Sequence, residues 1–124
     1  MPVTYTQRYK ALINDALKRV VEVTPDQVWE MLEAGSDIEL VDVREKDEWY
    51  KVRIAGARHL CKGIIEREIE RVISDPKQEI ILYCVRGYRS VLVADNLQKM
   101  GYRSIRSMKG GLHSWIEAGL PVEY

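Results

Sequence analysis

The sequence predicts an α/β fold built on a parallel sheet with helices covering both faces. Short apolar runs alternate with segments of helical period about ten residues long, the pattern of repeated strand–helix units. The runs at 38–43 and 80–83 alternate little between apolar and polar, as strands buried on both faces do. Glycines and prolines fall between the segments, where helices stop and turns form.

Taken in order, Tyr5, Tyr9, Leu12, Ile13, Ala16, Leu17 and Val20 recur at helical spacing, which predicts an amphipathic helix within residues 1–20. Docking on the rest of the chain and a weak dimer contact are the two uses of its apolar face. The domain proper is expected over 21–124. Val21–Val23 reads as a short strand. Thr24-Pro25-Asp26 then starts a helix, with Thr24 as N-cap, Pro25 at the first helical position and Gln27 placed to complete a capping box. That helix stops at Gly35. A strand at 38–43 and a short helix at 45–52 follow, then a turn at Ala55-Gly56-Ala57 and a strand at 58–60. A helix at 64–73 ends before Asp75-Pro76. The strand at 80–83 is followed by a helix at 90–100 ending at Gly101, a strand at 104–107 and a last helix at 110–118.

Composition narrows the function. The 124 residues fit one domain with its own core. Lys plus Arg and Asp plus Glu each number 19, so no net field draws the chain to nucleic acid or to an anionic membrane. No apolar run approaches the ~18 residues of a spanning helix, and the start lacks the apolar stretch of a secretory signal. Two cysteines make no disulfide framework, and a reduced, cytoplasmic setting is the expectation. His59 and His113 lack metal-ligand spacing with a cysteine pair, so neither metal nor cofactor is expected.

Cys84 carries the chemistry. It stands between the strand at 80–83 and the next helix, followed by Val85-Arg86-Gly87-Tyr88-Arg89-Ser90. Unpaired N–H groups and the dipole at a helix start favour an anion. Thiolates are the reactive form of cysteine, and helix starts and nearby arginines favour them. Four residues separate Cys84 from Arg89, so the loop can curl its N–H groups around the sulfur as an anion nest, with Gly87 at the bend. Arg89 is placed to brace the loop or add charge, and Arg86 to reach outward to an anionic substrate. The loop contains no base, which leaves activation to electrostatics. So tight a cradle suits a persulfide, a thiolate extended by one sulfur, better than a phosphoryl or arsenate oxyanion.

Six ordered motifs carry a resemblance. They are Leu40-Val41-Asp42-Val43-Arg44-Glu45 with Glu48-Trp49, Ile54-Ala55-Gly56-Ala57-Arg58-His59-Leu60, and Tyr83 through Ser90. Gly101-Tyr102, Gly110-Gly111 with Trp115, and Gly119-Leu120-Pro121-Val122 complete them. The chain resembles a single-domain rhodanese over residues 21–122. That resemblance implies a three-layer fold with a five-stranded parallel sheet, here preceded by an extra helix. It implies a thiosulfate sulfurtransferase in which Cys84 takes a sulfur from a small anionic donor. The sulfur then passes to cyanide, a thiol or an acceptor protein. The loop N–H groups from Val85 to Ser90 would hold the persulfide, and Asp42 and Arg44 would support the loop unless they simply pair with each other. Where the family often has His-Ile-Pro-Gly-Ala, this chain reads Arg53-Ile54-Ala55-Gly56-Ala57. Val85 takes a loop position that is basic in some members, so the donor's charge falls to Arg86.

Cys61, expected at the same sheet edge as Cys84, is a candidate resolving thiol that would form a disulfide and release hydrogen sulfide. A spectator thiol is the alternative. Trp29, Trp49 and Trp115 read as core anchors, and Lys62, Arg67 and Arg71 as a solvated helix face. Two other classes compete with the sulfurtransferase. One is a non-catalytic interaction module, which usually lacks the cysteine, or a carrier that hands sulfur to a specific acceptor protein and needs the same loop. The other is a cysteine-dependent phosphatase or arsenate reductase, which generally spaces its cysteine and arginine one residue further apart. A monomer or weak homodimer is expected.

Overall fold

A computed structural model describes residues 5–124, so the first four residues of the segment expected over 1–20 lie outside it. The elements run α1 (Gln7–Leu17), β1 (Val21–Val23), α2 (Pro25–Glu33), β2 (Ile38–Asp42), α3 (Lys46–Lys51) and β3 (Arg58–His59). They continue with α4 (Ile65–Val72), β4 (Glu79–Tyr83), α5 (Tyr88–Lys99), β5 (Ser104–Met108) and α6 (Gly111–Glu117). The five strands pair in parallel in the order β1-β5-β4-β2-β3. β4 is therefore central, and the segment that follows it opens between β5 and β2.

The pleat sorts the side chains. Successive residues of a strand point to opposite faces, so Ile80, Leu82 and Cys84 enter one core while Ile81 and Tyr83 enter the other. The first core holds Ile65 and Ile69 of α4, Val91, Ala94 and Leu97 of α5, and Ala16 of α1. The second holds Val28 of α2 and Leu112 and Trp115 of α6. Helices on both faces complete the three layers. Each fully buried Ile or Leu contributes about 1.5–3 kcal/mol relative to exposure, which is why two lightly alternating strands anchor the sheet.

Local chemistry sets the ends. The Gln27 N–H donates to Thr24 Oγ1 at 3.1 Å and the Thr24 N–H to Gln27 Oε1 at 2.9 Å, the reciprocal pair that starts α2. α1 docks against α5. Ile13 and Ala16 are buried, and the Arg19 guanidinium donates twice to Asp95, each at 2.8 Å. α5 begins two residues earlier than the sequence implies, because Gly87, in a left-handed conformation at φ +89°, serves as its N-cap. No helix among the described residues is long and apolar enough to cross a membrane.

Candidate active site

Only Cys84-Val85-Arg86-Gly87 separate β4 from α5. Cys84 follows the last residue of β4 on the face covered by α5, and it is 1 % exposed. The loop around it is shaped from below. The first N–H groups of a helix have no partner within it, and two of those in α6 are spent on this loop. The Leu112 N–H donates to the Cys84 carbonyl at 2.8 Å and the His113 N–H to the Val85 carbonyl at 2.9 Å. With its carbonyls held back, the loop turns an N–H toward the sulfur: Gly87 donates to Cys84 Sγ at 3.1 Å.

This close contact requires glycine on both sides. A Cβ on Gly111 would stand 2.4 Å from the Cys84 carbonyl oxygen and 2.6 Å from the Val85 carbonyl. A Cβ on Gly87 would meet the Gly110 nitrogen at 3.0 Å. Gly110-Gly111 is thus the floor of the cysteine loop as well as the start of a helix.

Two buried hydroxyls reach the sulfur from the side. Ser90 Oγ lies 3.5 Å from Cys84 Sγ and 2.7 Å from Ser107 Oγ, and neither serine is exposed. With an ionised sulfur, which only accepts, the order of donation is fixed as Ser107 to Ser90 to Sγ. Ser107 was not legible in the sequence, since a serine in β5 carries no sign of facing a cysteine two residues past its partner Leu82.

The two loop arginines divide the roles. Arg89 makes a two-pronged pair with Glu48, at 2.8 and 3.1 Å. Glu48 Oε1 also accepts the Glu45 N–H at 2.9 Å at the start of α3. The Arg89 guanidinium holds the Glu48 carboxyl below the usual carboxylate range, against the opposing effect of partial burial. Arg89 is a brace. Arg86 is exposed and lines the pocket over Cys84, as an arm toward an anion would.

Asp42 and Arg44 pair with each other, buried at 0 % and 2 % exposure. Arg44 Nη2 lies 2.8 Å from Asp42 Oδ2, and the Arg44 N–H donates to Asp42 Oδ1 at 2.9 Å. Their link to the loop runs through Tyr83, whose ring centre lies 5.9 Å from the Arg44 guanidinium carbon. The Tyr83 hydroxyl accepts the Ile54 N–H at 3.2 Å, and burial, reinforced by Asp42, pushes its pKa well up. The pair fixes the residue that precedes Cys84.

Above the sulfur stands the amino-terminal part of the chain. Tyr5 and Tyr9, with Val85, Arg86, Tyr88 and Arg89, line a pocket of about 220 Å³ over Cys84. Tyr5 meets Tyr88 edge-on at 4.9 Å and Tyr9 at 5.6 Å. The amino-terminal tyrosines were legible only as an apolar helix face; Tyr5, just before α1, and Tyr9, in its first turn, roof the site.

Residues 24–118 match the family model described as Rhodanese-like domain. The chain belongs to the rhodanese-like domain family. Thiosulfate sulfurtransferase GlpE of Haemophilus influenzae is 35 % identical over 102 residues, covering 82 % of this chain and 93 % of the relative. The protein of that name from Glaesserella parasuis is 32 % identical over 102 residues, covering 82 % and 92 %. Among solved structures, a Rhodopseudomonas palustris protein of unknown function, described as a possible tyrosine phosphatase, is 28 % identical. It superposes with a TM-score of 0.88 and covers 99 % of both chains. The polysulfide-sulfur transferase homodimer of Wolinella succinogenes is 27 % identical, with a TM-score of 0.79, covering 94 % of this chain and 87 % of that one.

Two expectations for this rhodanese domain need correction or refinement. Trp49 is half-buried and is no core anchor: it stacks on His59 at 4.9 Å, with the Arg53 guanidinium 5.0 Å from its ring. Trp115 is fully buried, and Trp29 is half-buried against it at 6.0 Å. Cys61 follows β3, which pairs with β2 and not with β4. Two strand spacings, about 9.6 Å, therefore separate the two cysteine segments. A disulfide needs Cα atoms roughly 4.4–6.8 Å apart, so a Cys61–Cys84 bridge requires backbone movement.

Proposed function

We propose that this protein is a sulfurtransferase that carries sulfane sulfur as a persulfide on Cys84. The observation that carries this reading is the Gly87 N–H donating to Cys84 Sγ, in a loop whose carbonyls are tied away from the sulfur. In the first half-reaction the Cys84 thiolate attacks the outer sulfur of thiosulfate. A Cys84 S–S bond forms, the donor's S–S bond breaks, and its electron pair leaves with sulfite. In the second, an acceptor anion attacks the outer persulfide sulfur. With cyanide the products are thiocyanate and the Cys84 thiolate. Charge and electrons balance in each step with donor and acceptor alone.

The site's residues take distinct parts. Cys84 is the nucleophile, and the loop from Val85 to Ser90 stabilises negative charge on either sulfur. Preorganised donors of this kind act without reorganising during the reaction. Arg86 meets the donor's sulfonate, while Arg89 holds the loop through Glu48. Asp42 and Arg44 hold Tyr83, and with it the start of the loop.

A phosphatase reading has one observation behind it, the likeness to the Rhodopseudomonas protein described as a possible tyrosine phosphatase. Against it, the arginine separated from the cysteine by four residues is committed to Glu48. Among the described residues, no carboxylic acid lines the pocket to protonate a leaving alkoxide. A non-catalytic interaction module has no need for a sulfur held by an N–H and a hydroxyl.

The deciding experiment measures products side by side. With thiosulfate and cyanide, the protein is expected to release sulfite and thiocyanate in a Cys84-dependent manner. Phosphate release from a phosphotyrosine analogue that depends on Cys84, without thiocyanate formation, would replace this reading with the phosphatase.

A further inference from the structure

The roof over Cys84 has a second side. Tyr5, Tyr9 and Tyr88, which line the cysteine pocket, also line an adjoining cleft of about 220 Å³ completed by Lys10, Ile13 and Asn14. The two spaces thus share a three-tyrosine wall. Most of the cleft lies on α1 and the residue Tyr5 before it, outside the residues 24–118 that match the family model, and Tyr88 of α5, inside them, closes it. α1 is firmly placed: Ile13 and Ala16 are buried, and Arg19 is locked to Asp95. A helix held this way presents a fixed surface, whose aromatic rings lose little freedom on meeting a ligand.

Size and charge define what would fit. Each space alone is smaller than the ~300 Å³ at which ordinary ligand pockets begin. Thiosulfate and cyanide are small enough for the cysteine pocket alone, whereas a molecule with a body behind its reacting atom has the adjoining cleft to extend toward. Lys10 supplies a cation there and Arg86 one over the cysteine, and among the described residues no carboxylate lines either space. Tyrosine faces favour an apolar chain between the charged ends.

We propose that the α1 cleft is an acceptor subsite for small organic thiols that carry a carboxylate. The thiol enters the Cys84 pocket, the carbon chain lies along Tyr9 and Tyr88, and the carboxylate meets Lys10. The inference rests on the persulfide reading above. The acceptor's thiolate attacks the outer sulfur of the Cys84 persulfide, an S–S bond forms on the acceptor, and the electron pair returns to Cys84 as thiolate. The acceptor leaves as an organic persulfide.

The test compares two acceptors on protein first loaded with sulfur and checked by intact mass. One is 3-mercaptopropionate, which carries the carboxylate, and the other is 2-mercaptoethanol, which is neutral. The ratio of their kcat/KM values is measured for the wild type, Lys10→Gln and Lys10→Glu. Lys10 is exposed on a helix, so these variants are expected to fold. The proposal requires the ratio to fall roughly tenfold in Lys10→Gln and further in Lys10→Glu, chiefly through KM. A ratio that does not move in either variant overturns the subsite, including the case in which the cleft receives an acceptor protein instead. Failure of the wild type to load sulfur on Cys84 overturns the underlying sulfurtransferase reading and is seen before any acceptor is added.

Discussion

Arg89 and Glu48 meet through two hydrogen bonds, 2.8 and 3.1 Å long, that tie the start of α5 to the start of α3. The arginine of the cysteine loop is therefore bound to a neighbouring helix and not free for substrate. Both side chains remain between a quarter and a third exposed, at 29 % and 27 %. The coupling is accordingly moderate. A double-mutant cycle on Glu48→Gln and Arg89→Gln, read by urea denaturation, is expected to give an interaction on the order of 1 kcal/mol. Additive losses would mean that the brace is dispensable.

The same pair gives a pH dependence of known sign. Arg89 lowers the Glu48 pKa in the folded protein, below its unfolded value near the ordinary 4.5. A depressed carboxylate stabilises the fold above its unfolded pKa, and that contribution is lost as pH falls through the folded value. The stability gap between wild type and Glu48→Gln is therefore expected to be full near neutrality and to shrink below about pH 4.5. A gap that widens on acidification would contradict the assignment.

Gly111 is the most constrained point under the loop. Alanine there would drive a methyl into the Cys84 and Val85 carbonyls, at a φ of +58°. Gly35 shares a positive φ, +72°, but has nothing within 4 Å of a Cβ. Gly35→Ala is expected to cost roughly 1–2 kcal/mol from backbone strain alone, and Gly111→Ala at least about 3 kcal/mol together with loss of sulfur loading. Equal costs in denaturant would show that the loop floor can yield.

Ser107 tests the hydroxyl chain. In Ser107→Ala, Ser90 loses the partner that orients its proton toward Cys84 Sγ. A hydrogen bond to a charged acceptor is worth roughly 1.5–3 kcal/mol, so the rate of sulfur loading from thiosulfate is expected to drop about tenfold or more. An unchanged loading rate in a folded variant would remove Ser107 from the site.

Arg86 is the exposed cation at the pocket. Arg86→Ala is expected to raise KM for thiosulfate roughly tenfold while leaving kcat nearly unchanged, because a contact made equally in ground and transition states affects binding alone. The wild-type KM should rise with added salt, and the variant's much less. A variant with wild-type KM would shift donor recognition to the loop backbone.

What the sequence made legible follows from period and turn chemistry. Residues 80–83 and 38–43 announced doubly buried strands because they barely alternate, and Thr24-Pro25-Asp26-Gln27 announced a helix start that forms with both capping bonds. Cys84 was legible because a strand, a glycine-containing loop and a helix adjoin it in sequence. Residues that reach the site across the fold were not. Glu48 appears in a motif without a visible partner 41 positions away. Ser107 resembles any strand serine, and Tyr5 and Tyr9 resemble any apolar helix face. For Cys61, sequence order gives no hint that β2 lies between its strand and that of Cys84.

Intact-protein mass spectrometry after exposure to thiosulfate alone tests the persulfide on Cys84 most directly. The wild type is expected to gain the mass of one sulfur atom, to lose it on addition of cyanide, and to show no gain as Cys84→Ser. Folded wild-type protein that gains no sulfur from thiosulfate, polysulfide or 3-mercaptopyruvate, or a gain that persists in Cys84→Ser, would contradict it.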